Sequence, residues 1–214
     1  MRALLRRAVR LEAGTWRSLA RWVTRRPDVP SGAVPFTYHL PLVAPAVVLA
    51  GLSLLEVVAV DVLVPWPWPA LRVAVLAVGV WGALLTIGMG VGAIVYPHLV
   101  TAEGLRVRAG AGLDLHIVWE DVAEIRRVRR DHPGIRAALV DHGVLSVGVG
   151  NTTNVAVRLR RPITARLPRG PVEATAVHLY ADDAAAVVVS AREQLARTSG
   201  RRVTGSSVDG EVPL

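Results

Sequence analysis

Apolar and polar positions divide the chain into three stretches of different rhythm. In residues 1–26, Leu5, Val9, Trp16, Leu19, Ala20 and Val23 recur at helical spacing, while Arg2, Arg6, Arg10, Arg17, Arg21 and Arg25 fall on the other face. This predicts a basic amphipathic helix whose arginines and Trp16 contact an anionic membrane surface. Packing of the same helix against a cytoplasmic domain is the competing expectation. A Pro-rich linker, RPDVPSGAVP at 26–35, follows. The second stretch is almost uniformly apolar. Residues 41–60 carry a single charge, Glu56, and residues 73–96 (VAVLAVGVWGALLTIGMGVGAIVY) carry none. About 20 helical residues cross a hydrocarbon core of about 30 Å, so both are expected to be transmembrane helices. From His98 the rhythm changes to short alternating, β-branched runs broken by turn residues, which predicts strands.

The connection between the two apolar stretches, DVLVPWPWPALR, has three prolines for a stiff turn and places Trp66 and Trp68 at headgroup level. It holds no basic residue before Arg72, whereas both flanks are Arg-rich, so the positive-inside rule puts the N- and C-termini in the cytoplasm of a multi-pass plasma-membrane protein. The first apolar stretch begins too far in and runs too long for a cleavable signal peptide. Gly88 and Gly92 form a small-residue face for close helix packing, either between the two spans or in a homodimer. Glu56 is an intramembrane ionisable residue, with a Glu56–Arg72 pair across the hairpin as the structural expectation. A proton or ion path through Glu56 is the functional alternative.

Strands are expected at 99–101, 105–108, 113–117, 137–140, 145–149, 155–159, 163–167 and 174–180, with 102–104 and 150–153 as turns and 119–121 as a break. Residues 122–130 fit a turn and strand, although Val122, Ile125 and Val128 also recur every three residues. A final helix, capped by Asp182 or Asp183, is expected to run to Arg197, with a disordered tail over 198–214. The domain boundaries that follow are 1–39, 40–97, 98–197 and 198–214. Pro97 alone separates the second span from the strands, which predicts a β domain held close to the headgroups.

Composition sharpens this. The chain has 214 residues, 52% of them hydrophobic, and no cysteine, which excludes disulfides, thiolate metal sites and thiol nucleophiles. All 25 basic residues are arginine. Residues 1–39 hold eight against Glu12 and Asp28, residues 40–100 hold Arg72 against Glu56 and Asp61, and residues 101–214 hold sixteen against thirteen acids. Nucleic acid is not an expected partner, because a basic protein with an uncharged middle and few aromatics suits a membrane better. The six histidines show no H-E-x-x-H spacing, Gly88, Gly90 and Gly92 lie inside an apolar helix, and a Walker A loop needs a lysine the chain lacks. No catalytic residue, metal or cofactor is therefore expected. Charge supplies the remaining candidate: Arg126, Arg127, Arg129 and Arg130 in one cluster, Arg158, Arg160, Arg161, Arg166 and Arg169 in another. Such forks suit phosphate; paired or solvated surface arginines are the alternative.

The segments VTAEGLRVR, IVWEDVAEI, NVAVRLRRP and HLYADDAAAVVVSAREQL resemble the bacterial membrane-anchored family with a pleckstrin-homology (PH)-like domain, over about residues 70–197. The resemblance implies two transmembrane helices joined to a cytoplasmic, mainly-β PH-like barrel closed by a C-terminal helix, and no catalytic residue. The expected role is a non-enzymatic scaffold or adaptor that meets the lipid bilayer, anionic lipid headgroups, a membrane protein partner or a second copy of itself. A small transporter built around Glu56 and an unrecognised hydrolase are the alternatives.

Overall fold

The computed structural model describes residues 2–63, 68–132, 138–167 and 170–205, with side chains from 12 onward except at 139 and 200–205, and at 9. Contacts divide the chain into two compact units. One comprises the segment up to Asp28, Tyr38–Tyr96 and Ala109–Gly112; the other comprises Val29–Thr37, Pro97–Arg108 and the chain from Leu113 onward.

The first unit is helical: α1 (Arg2–Val23), α2 (Leu40–Leu63) and α3 (Pro69–Val95). Pro69 opens α3, where its fixed φ suits a helix and its missing N–H removes a donor that would be unpaired anyway. α2 and α3 run antiparallel: Val57 packs at Gly79 near the turn and Ala46 at Gly90 near the open end. Both are long and apolar enough to cross a membrane, and none of the residues of α2 is buried.

The small-residue face of α3 receives α1. Thr15 and Leu19 pack on Gly88, and Ser18 lies against Gly92. Ser18 donates to the Gly14 carbonyl at 2.9 Å, so its hydroxyl is satisfied within α1 and its small side is free to pack. Gly88 and Gly92 do serve close helix packing, but the helix they receive within the chain is α1 and not the other span: their missing side chains make room for Thr15, Leu19 and Ser18, and α2 meets α3 at Gly79 and Gly90. A Cβ added at Gly88 would overlap Thr15 Cγ2 and lie 3.0 Å from Leu19 Cγ. We expect Gly88→Val to strip α1 from α3, at about 1–3 kcal/mol of overpacking. A cysteine pair at Ser18 and Gly92, clean in a chain without cysteine, should crosslink in the parent and fail to do so when Gly88→Val is added.

The second unit holds β1 (Val34–Phe36), β2 (His98–Val100), β3 (Gly104–Ala109), β4 (Leu113–Val118), a 3₁₀ turn at Trp119–Asp121, β5 (Val122–Asp131), β6 (Leu139–Asp141), β7 (Val144–Val147), β8 (Thr152–Leu167), β9 (Gly170–Leu179) and α4 (Ala184–Gly205). The strands form two sheets, β1-β2-β3-β4 and β5-β8-β9-β7-β6, and not the single closed barrel expected from the sequence. β7 joins β9 in parallel, with Leu145 beside Val177 and Ser146 beside His178. The core is apolar: Leu99, Leu105, Val107, Ile117 and Trp119 from the first sheet and its turn, Ile125, Val157, Val177 and Leu179 from the second, and Val187 and Ala191 from α4.

Several boundaries move for local reasons. β1 forms inside the expected linker and pairs antiparallel with β2, Val34 opposite Val100 and Phe36 opposite His98. Pro35 is tolerated because β1 is an edge strand, where a missing donor breaks no ladder. The runs 155–159 and 163–167 are one strand, with Pro162 absorbed in a register shift between Arg158 and Ile163. Gly150 and Asn151, both at positive φ, make a two-residue turn between Val149 and Thr152. Asp183 caps α4 by accepting from the Ala186 N–H at 2.9 Å. α4 continues past Arg197 to Gly205, and within it Thr198 and Ser199 donate their hydroxyls to the carbonyls of Gln194 and Leu195, which satisfies these polar side chains locally. The tail beyond 205 and the start of the 137–140 strand lie outside the described residues.

Candidate functional site

The residues expected at a membrane surface are partly engaged within the helical unit. Arg17 and Arg25 are exposed, but Arg21 pairs with Asp28 at 3.1 Å and sits 5.8 Å over the Tyr96 ring, so it is already engaged. The side chains of Arg2, Arg6 and Arg10 lie outside the described residues. Trp16 meets Trp81 edge-on at 5.5 Å rather than facing out alone. Val9 and Val23 remain exposed on α1. Trp68 is exposed at the N-terminus of α3, and Trp66 lies outside the described residues.

The expected Glu56–Arg72 pair does not form. Arg72 grips Asp61 through two contacts, Nε to Oδ1 at 2.6 Å and Nη2 to Oδ2 at 2.7 Å. The reason is axial level. Asp61 sits two residues before the end of α2 and Arg72 three residues after the start of α3, whereas Glu56 lies more than a turn deeper and is exposed.

The arginine clusters fall beside each other because β5 and β8 pair antiparallel, with Glu124 opposite Arg158 and Arg126 opposite Ala156. Most of the β8 set is committed to structure. Arg160 donates to the Val122 carbonyl at 3.0 Å, Arg161 pairs with Asp121, and Arg158 reaches Glu124 at 3.4 Å. On β5, Arg129 approaches Asp131 at 4.0 Å. Arg126, Arg127 and Arg130 are exposed, with no carboxylate partner among the described residues.

The bulge between Arg127 and Arg130 then divides the β5 arginines between two depressions. Arg126 and Arg130 line one depression with Glu124, Arg158, Ala156, Ala176 and His178. Arg127 and Arg129 line another, where Asp182 and Asp183 offset them. In the first, three guanidinium groups face one carboxylate, which Arg158 already engages. Ala156 and Ala176 keep its floor low. His178, 6% exposed, comes from β9, and its Nδ1 is buried without a hydrogen-bond partner. Burial first, then the neighbouring Arg130, His132 and Arg126, hold its pKa down to about 4, so the ring is neutral at pH 7.

No sequence motif marks His178. The available signal was alternation, since Ala174, Ala176 and His178 share one face of β9, but its meeting with Arg126 needs the register of three strands. His98 is a different case. Its Nδ1 accepts from the Arg108 N–H at 3.0 Å, so its Nε2–H donates to the Tyr180 carbonyl at 3.0 Å, and the buried ring is a structural tie. Among the described residues, no group of three or more His, Asp or Glu is close enough to hold a metal ion. Compared with protein-family models, curated proteins and solved structures, the chain finds no match.

Proposed function

We propose that this chain is a non-enzymatic integral membrane protein, in which α2 and α3 cross the bilayer as a hairpin and the β unit is a PH-like domain displayed to anionic headgroups or a membrane partner on the cytoplasmic side. The observation that carries the reading is the exposure of Leu49, Leu52, Leu55 and Val58 along α2, in a helix with no buried residue. Each such side chain gains roughly 1.5–3 kcal/mol on leaving water, and a hydrocarbon solvent supplies that gain along the whole helix. Pairing of β1 with β2 supports a hairpin whose two ends emerge on one side, because those strands flank residues 38–96 in sequence. Two sheets and a packed terminal helix support the PH-like assignment, with the difference that one strand comes from upstream of the hairpin. Exposed Arg17, Arg25, Arg126 and Arg130 supply the charge that meets anionic headgroups.

The test is topological. A reporter active only outside the cytoplasm should be active when fused at Trp68 and silent after Arg197, with the chain retained in the membrane after carbonate extraction. Activity at Arg197, or release by carbonate, overturns the reading. Glu56→Gln should leave both results unchanged, whereas a transporter working through Glu56 would lose transport.

A further inference from the structure

We propose that the depression formed by Arg126, Arg130, Arg158 and His178 on the five-stranded sheet is a binding site for a phosphoryl oxyanion, either free phosphate or the phosphodiester of an anionic lipid headgroup. The proposal rests on the reading that the β unit takes an anionic partner, and it locates that partner. Register assembles the site in two rows across the sheet: Arg126, Ala156, His178 and Ser146 in one, and Glu124, Arg158, Ala176 and Val144 in the next. Residues paired in this way project from the same face, so Arg126, Arg158 and His178 share one surface, and the β5 bulge between Arg127 and Arg130 brings Arg130 to its lining.

Two independent features point to an anion. Arginine presents planar N–H forks that match phosphoryl oxygens, and Arg126 and Arg130 have no carboxylate to satisfy among the described residues. His178 adds a buried Nδ1 with no partner. Such an atom is costly to leave unpaired, and an oxyanion that enters as the side chains covering it part accepts from an Nδ1–H and satisfies it. The volume selects the size of the ligand. The depression holds about 200 Å³, roughly six or seven water volumes at ~30 Å³ each, which fits a phosphoryl group with a few waters. That is below the volume of an ordinary organic-ligand cleft. The neighbouring depression at Arg127 and Arg129 fails the same criteria, because Asp182 and Asp183 already occupy its charge.

The experiment uses the full chain in zwitterionic phosphatidylcholine nanodiscs, with imidazole carbons labelled and the His178 resonance assigned through His178→Gln. Titration with inorganic phosphate should move that resonance saturably. A second arm replaces phosphate with phosphatidylglycerol in the disc. A response to phosphate alone assigns the site to the free ion, and a response to phosphatidylglycerol alone assigns it to the headgroup; either supports the proposal. Arg126→Gln/Arg130→Gln, two exposed changes, should weaken the responding arm by about tenfold or more. No movement in either arm, or a response unchanged in the double variant, overturns the site. The reporter topology would then still stand or fall separately, and retained anionic-vesicle binding in the double variant would place headgroup contact elsewhere.

Discussion

Replacing Trp119 with alanine is expected to destabilise the β unit by roughly 3–5 kcal/mol. The indole is the largest fully buried side chain among the described residues, 1% exposed, and it lies in the 3₁₀ turn that passes the chain from β4 in one sheet to β5 in the other. Its Nε1–H donates to the Thr101 carbonyl at 3.0 Å, so alanine removes volume and a hydrogen bond together. Against a typical domain stability of about 5–15 kcal/mol, that loss is about a fifth or more. Trp119→Phe keeps most of the volume but not the donor, and should recover all but about 1–2 kcal/mol. Denaturant unfolding of the three chains in the same bilayer mimic checks the order; equal midpoints for parent and alanine variant would refute it.

Acid should weaken the same unit through His98. Burial, outweighing the favourable bond to the Tyr180 carbonyl, lowers its pKa from 6.5 to about 4. Between those values the unfolded chain binds the proton and the folded chain does not, so stability is complete above about pH 6.5 and falls as pH drops towards 4. The fully developed loss is about 3 kcal/mol for this one ring. His178, also lowered to about 4, acts in the same direction. His98→Gln retains a donor and an acceptor without a titrating ring. It should flatten the slope of unfolding midpoint against pH in this window, and a slope identical to the parent would show that His98 does not carry it.

What the sequence disclosed was whatever depends on neighbours. Uncharged length marks α2 and α3, alternation marks β4 (Leu113, Leu115 and Ile117 inward, Asp114 and His116 outward), and a carboxylate ahead of an apolar run marks the Asp183 cap. What it hid depends on partners distant along the chain. The three residues of β1 show no alternation and contain a proline, so only the open edge of β2 makes them a strand. Both Asp61 and Glu56 are acids opposite Arg72, and the choice between them turns on how many residues the connection consumes. Gly88 and Gly92 advertise a close packing partner without saying which helix supplies it. The arginine clusters were visible as charge, but their division into paired and open members follows from the register of β5, β8 and β9, as does the arrival of His178 among them.

The pairing of Val34–Phe36 with His98–Val100 also sets an order of events during synthesis. One half of that contact leaves the ribosome before the apolar helices and the other directly after them. Closing an unstructured loop of roughly sixty residues costs about 3–4 kcal/mol, more than a three-residue pairing supplies by itself. Antiparallel association of the helices, with Ala46 against Gly90 near their open end, shortens the effective loop and removes most of that entropy. The short pairing therefore closes after the helices have found each other. In a chain whose helices have not associated, β2 keeps an unprotected row of N–H and C=O groups, open to strand addition from other molecules.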